Sequence, residues 1–196
     1  MSIERAYPLV VSDHRSFPEG FAGTVHVWDI DKTYLDTRFS SLGGLLRIPL
    51  EFAVDKGAIP GMPEVLRGLR RGAGEGVACT PLYFVSGSPS QLAGVLSNKM
   101  LLDGVEHDGM VLKDWLGALV RRSVWRLSEQ VGFKLCALLS LRRARPWSRE
   151  ILFGDDTERD VVAYDLYRRL LSGELSPGEA VDVLTRRLPL RMPPPS

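Results

Sequence analysis

The chain has 196 residues, 44% of them hydrophobic and 25% charged, with 25 Lys and Arg against 24 Asp and Glu. That length and apolar content are enough for one sizeable core, so a single domain over 1–196 is expected, with its core over about 22–172 and a C-terminal helix and proline-rich tail over 173–196. Balanced charge gives no bulk attraction to nucleic acid or to anionic membrane, and the two cysteines, Cys79 and Cys136, are too few for a disulfide framework or a zinc site.

The opening "MSIERAYPLVVSDHR" lacks the apolar stretch of a signal peptide, and no apolar run approaches the ~18 residues of a membrane span. The expectation is a soluble cytoplasmic protein with no nucleic-acid partner. Val25 to Trp28 reads as a buried strand. "GMPEVLRGLRRG" follows, with Met62, Val65, Leu66 and Leu69 at helical spacing, Pro63 suited to the first turn and Gly72 to the stop. "PLYFVS" (81–86) is a second strand. In "SPSQLAGVLSNKML" Ser88 is expected to cap a helix whose face carries Leu92, Val95 and Leu96. A weaker strand is expected over Met110 to Leu112, and helical patterns around 114–130 and 134–142. "EILFG" (150–154) is a third buried strand, with a helix over 160–171 after it. Strands alternating with helices imply an α/β fold, a parallel sheet covered on both faces. Ligands of such sheets bind beyond the carboxyl ends of the strands, where Asp29, Ser86 and Asp155 are expected to lie.

Chemistry gathers at that rim. "VWDIDKTYLD" ends its strand with Asp29 and Asp31, and "FGDDTERD" adds Asp155, Asp156 and Asp160. Five carboxylates in one crevice repel unless a cation neutralises them. An all-oxygen set with room for water suits Mg²⁺, which takes one or two carboxylates plus a phosphate. Acid clusters with Mg²⁺ point to phosphoryl chemistry.

Asp29-Ile30-Asp31-Lys32-Thr33 resembles the first motif of the haloacid dehalogenase (HAD) superfamily of phosphohydrolases, D-x-D-x-T after a hydrophobic strand. Ser86, closing "LYFVS", resembles the second motif. Lys134 in "GFKLCALL" resembles the third, a lysine at a helix start, with Lys113 in "LKDW" as the competing lysine. "GDDTERD" resembles the fourth. All four occur in order. More narrowly, "YFVSGSPSQL", "PGMPEVLRGL" and "HDGMVLKDW" are similar to stretches of the App1-like phosphatidate phosphatases, relatives of lipins. Lys32 stands where that family commonly has Asp or Gly.

The resemblance implies a three-layer HAD-like fold with a minimal cap and a Mg²⁺-dependent phosphomonoester hydrolase working through an aspartyl-phosphate. Asp29 would be the nucleophile, and Asp31 the acid that protonates the leaving oxygen and then activates water. Thr33 would support the loop. Ser86 and Lys134 would hold the phosphoryl oxygens, with Ser88 as an alternative contact. Asp29, Asp31, Asp155 and Asp156 would be the metal's residues, and Asp160 would orient its waters or Lys134. The implied substrate is phosphatidate, converted to diacylglycerol at a membrane surface. The alternatives are another phosphomonoester (on a protein, a nucleic-acid end or a small metabolite) and a catalytically silent phosphate-binding module. "FSSLGGLLRIPLEF" (39–52) is read as core packing or, more sharply, as a lipid-facing lip. The arginine pairs at 70–71, 121–122, 142–143, 168–169 and 186–187 are read as solvated helix faces.

Overall fold

The structure is a computed structural model that describes residues 2–36, 57–72, 79–120, 127–155 and 160–187. Six strands form one sheet: β1 (Ser2–Ala6), β2 (Leu9–Asp13), β3 (Thr24–Asp29), β4 (Leu82–Pro89), β5 (Gly109–Lys113) and β6 (Arg149–Phe153), in the order β1-β2-β5-β4-β3-β6. The four strands β5, β4, β3 and β6 run parallel, while β1 and β2 add an antiparallel edge. The fold is α/β, built on a mostly parallel sheet.

Period-2 alternation divides the strand residues between two apolar clusters. Val25, Val27, Tyr83, Val85 and Val111 pack with residues of helices α4 (Leu127–Arg143), α5 (Asp160–Leu171) and α6 (Pro177–Asp182). Trp28, Leu82, Phe84, Met110 and Leu112 pack with Leu66 of α1 (Met62–Arg71) and with Leu96 and Met100 of α2 (Ala93–Leu102). The sheet is therefore apolar on both faces, as buried parallel strands require. From β3 the chain steps outward through β4 to β5, then returns to pair β6 on the other side of β3. That reversal makes the end of β3 the switch point where a crevice opens.

Local chemistry explains the helix ends. Gly61 (φ 85°) and Pro63 start α1, and Gly72 stops it by returning its N–H to Gly68 O. Ser176 and Glu179 form a reciprocal capping box at the start of α6.

Four expectations are corrected. The N-terminal hairpin was not anticipated, yet β2 pairs with β5 over five residues and places Leu9 in the core. The patterns at 114–130 and 134–142 become α3 (Trp115–Val120) and α4, the latter running unbroken through Val131-Gly132-Phe133, so Lys134 sits in mid-helix rather than at a helix start. Ser88 caps nothing: β4 continues to Pro89, a 3-10 turn over Ser90–Leu92 follows, and neither that turn nor α2 has a side-chain cap. Two arginines turn inward: Arg70 pairs with Asp108, and Arg142 donates to Ser148 O at 2.9 Å and to Glu150 at 3.2 Å. The segment 39–52, the pair Arg121–Arg122, Asp156 and the tail 188–196 lie outside the described residues.

Candidate active site

Val25, Val27 and Trp28 bury β3 between the two apolar clusters, and the strand ends by projecting Asp29, itself only 1% exposed. The chain then turns tightly. Tyr34 and Leu35 N–H both return to Ile30 O, at 3.0 and 2.9 Å, and Lys32 N–H returns to Leu35 O at 2.9 Å. Lys32 sits at φ 61°, a left-handed conformation that glycine adopts freely and aspartate tolerates. The turn carries Asp31 back to the crevice beside Asp29.

On β4 the pairing with β5 slips between Ser86, opposite Leu112, and Pro89, opposite Lys113. The extra residues Gly87 and Ser88 bulge, which re-aims side chains at a sheet end. Both serines of the bulge reach Asp31: Ser86 Oγ donates to Asp31 Oδ2 at 2.8 Å and Ser88 Oγ to the same oxygen at 3.2 Å. Ser88 N–H donates to Ser86 Oγ at 2.9 Å, and Trp115 of α3 holds the bulge by donating its indole N–H to Gly87 O at 2.9 Å.

From the other face α4 supplies Lys134. Its Nζ donates to Asp29 Oδ1 at 2.8 Å and also to Asp160 Oδ1. Thr33 Oγ1 reaches Asp29 Oδ2 at 3.4 Å. Asp160, fully buried, opens α5 and comes close to Gly154, where any Cβ would collide with the Asp160 carboxylate and the Tyr164 hydroxyl. This explains the glycine of "FGDD". The register sets Trp28 opposite Phe153, so Asp155 leaves β6 at the same rim as Asp29, and its charge acts on Asp160.

The electrostatics show a shortage of positive charge. Burial raises the Asp29 carboxyl well above its ordinary value; Lys134 opposes this, while Asp160 and Asp31 reinforce it. Burial also raises Asp160 against the pull of Lys134. Lys134 would be lowered by burial, but Asp29 and Asp160 outweigh that and hold it charged. Lys134 thus answers two buried carboxylates, Asp29 and Asp160, to which the charges of Asp31 and Asp155 are added in turn. Among the described residues no three acid, histidine or cysteine side chains form a ready-made cation cage. The donor set nevertheless suits Mg²⁺, which takes few protein oxygens and completes its shell with water and a ligand's phosphate.

The structure therefore gathers two bonded groups at one rim, Asp29 with Thr33, Lys134 and Asp160 and Asp31 with Ser86 and Ser88, with the charge of Asp31 acting on Asp29 and that of Asp155 on Asp160. Sequence reading offered Ser88 as a phosphate contact but missed its bond to Asp31, the Trp115 brace and the partner of Tyr34, whose hydroxyl donates to Asp103. The only sequence signal for the last was an aromatic residue following the acid motif.

An α/β sheet whose switch point holds two aspartates, two serines and a buried lysine defines a phosphoryl-transfer class of site. A family model described as "Phosphatidate phosphatase APP1, catalytic domain" matches residues 25–174, and the chain belongs to that family, a phosphatase domain of HAD-like fold. None of the curated proteins and none of the solved structures matches the chain. Among the described residues no helix is long and apolar enough to cross a membrane.

Proposed function

We propose that this domain is a Mg²⁺-dependent phosphatidate phosphatase that works through an aspartyl-phosphate on Asp29, on a three-layer HAD-type fold with a minimal cap. The observation that carries this reading is the convergence on one rim of two bonded pairs, Lys134 with Asp29 and Ser86 with Asp31, brought from α4, β4 and the end of β3, with the Asp31 charge acting on Asp29. An Asp29 oxygen attacks phosphorus as the bond from phosphorus to the ester oxygen breaks. Asp31 gives the departing oxygen its proton, then takes one from the water that attacks the phosphoaspartate and frees phosphate. Ser86 and Lys134 hold the phosphoryl oxygens, with the buried ammonium acting as a fixed point charge where little water screens it. Asp29, Asp31, Asp155 and Asp156 are the residues that would hold Mg²⁺, whose charge would ease the approach of carboxylate to phosphate. The substrate places the work at a membrane surface, to which the domain would bind peripherally.

The test is phosphate release from phosphatidate in detergent micelles, from an aryl phosphate and from a phosphopeptide, with Mg²⁺ and with EDTA, by wild type and Asp29→Asn. Mg²⁺-dependent release from phosphatidate that Asp29→Asn abolishes is expected. Release favouring the soluble esters would redirect the substrate, and turnover surviving Asp29→Asn would remove the nucleophile.

A further inference from the structure

Tyr34 follows the acid pair in the chain, and none of the chemistry above uses it. Its side chain is fully buried, with its ring 5.9 Å from that of Phe84 between centroids. Its hydroxyl donates to Asp103 Oδ2. Asp103 is itself well fixed at the C-terminal end of α2: Lys99 Nζ donates to its other carboxylate oxygen, Arg67 of α1 donates to its carbonyl, and its N–H returns to Lys99 O at 3.0 Å. Toward the site, the backbone of Tyr34 is part of the turn that presents Asp31. Its N–H goes back to Ile30 O at 3.0 Å, and its carbonyl accepts from Ile59 N–H at 2.9 Å. That turn holds Lys32 left-handed, a conformation that persists only where the surroundings impose it.

We propose that Tyr34 is a positioning residue for the acid pair: its bond to Asp103 ties the turn after β3 to the end of α2 and so fixes where Asp29 and Asp31 present their carboxylates. The inference rests on the reading of those two aspartates as the reacting acids. Burial, with the adjacent Asp103 carboxylate, raises the phenol far above its ordinary value, so it stays a donor at any working pH. The leverage is geometric. Asp31 must meet both Ser86 and Ser88 within hydrogen-bond reach, and misplacing a reacting group by about 1 Å costs on the order of a hundredfold in rate.

Tyr34→Phe keeps the ring and removes only the donor; Asp103→Asn keeps the shape and weakens the acceptor. Two readouts are paired: amide hydrogen exchange at Lys32, residue 34 and Leu35, and kcat and KM on phosphatidate micelles. In both variants these three amides are expected to exchange at least about tenfold faster while the rest of the molecule is unchanged. In parallel, kcat is expected to fall on the order of tenfold with KM within about twofold of wild type. The double variant should lose no more than the worse single, since both remove one bond. Wild-type exchange and kcat in Tyr34→Phe, a rise in exchange spread evenly over the molecule, or losses that multiply in the double variant would each overturn the proposal. Asp29→Asn in the same series separates the two claims. If it retained turnover, the nucleophile assignment would fall, while the exchange readout would still report on the Tyr34–Asp103 tie.

Discussion

Asp31 shows how much one oxygen can be asked to do. Its Oδ2 accepts from Ser86 at 2.8 Å and from Ser88 at 3.2 Å, two hydroxyl donors delivered by one bulged strand end. The place of Ser86 at the end of an apolar strand was legible; Ser88 was read as a helix cap or an alternative phosphate contact, and its bond to Asp31 was not legible because nothing in the sequence announces a bulge. The structure separates the two readings. Ser88→Ala is predicted to lower kcat roughly tenfold, from ~1.5 kcal/mol for a hydrogen bond to a charged group, with an unchanged unfolding midpoint. A helix cap would give the opposite pattern, with lost stability and normal turnover, so thermal melts beside steady-state rates decide between them. Gly154 is the other residue whose reason emerged only in three dimensions, since its missing Cβ is what lets Asp160 approach.

At the scale of elements, the strands β3 to β5 and the helices α1, α2 and α5 were legible because apolar alternation and helical spacing are local signals, whereas β6, placed rightly but read as buried, is an edge strand with Ile151 46% exposed. The join between α3 and α4 and the edge hairpin were not. Gly132 interrupts the apolar pattern of α4 without breaking the helix, because tertiary packing of Val131, Phe133 and Leu135 holds it. β1 and β2 gain their place from pairing with β5, about a hundred residues away in the chain. A third long-range device is Asp108, just before β5. It accepts from Leu82 N–H at 2.9 Å, pairs with Arg70 of α1, and faces Arg15 at 3.4 Å, so one carboxylate ties α1 and the loop after β2 to the start of β4. Burial alone would raise this carboxyl, but Arg70, the Leu82 N–H and Arg15 together hold it below its ordinary value of 3.8. Because the folded value lies below the unfolded one, the stabilisation is present above about pH 4 and is lost as pH falls through the depressed value. Asp108→Asn is therefore predicted to cost about 2 kcal/mol near pH 7, with the two denaturation curves converging in acid. A constant gap from pH 7 to pH 3 would contradict the assignment.

The whole molecule carries its site at the switch point of a sheet whose two faces are sealed by separate apolar clusters. The hairpin lies outside the family-matched span of 25–174, yet it covers the backbone edge of β5 and contributes buried Leu9. Removing residues 1–13 is predicted to expose that edge, promote association and lower the unfolding midpoint by about 5–10 °C, as read by calorimetry and light scattering. An unaltered monomer would show that the hairpin is ornamental.

Acid quenching tests whether an Asp29 oxygen forms the covalent bond to phosphorus. Wild-type protein is mixed with Mg²⁺ and phosphatidate labelled in its phosphate, quenched in acid during turnover, digested and mapped by mass spectrometry. Labelled phosphate is expected on the peptide that holds Asp29, more of it in Asp31→Asn (where water is no longer activated) and none in Asp29→Asn. Label on a peptide without Asp29, or steady turnover with none of the protein labelled, would contradict it.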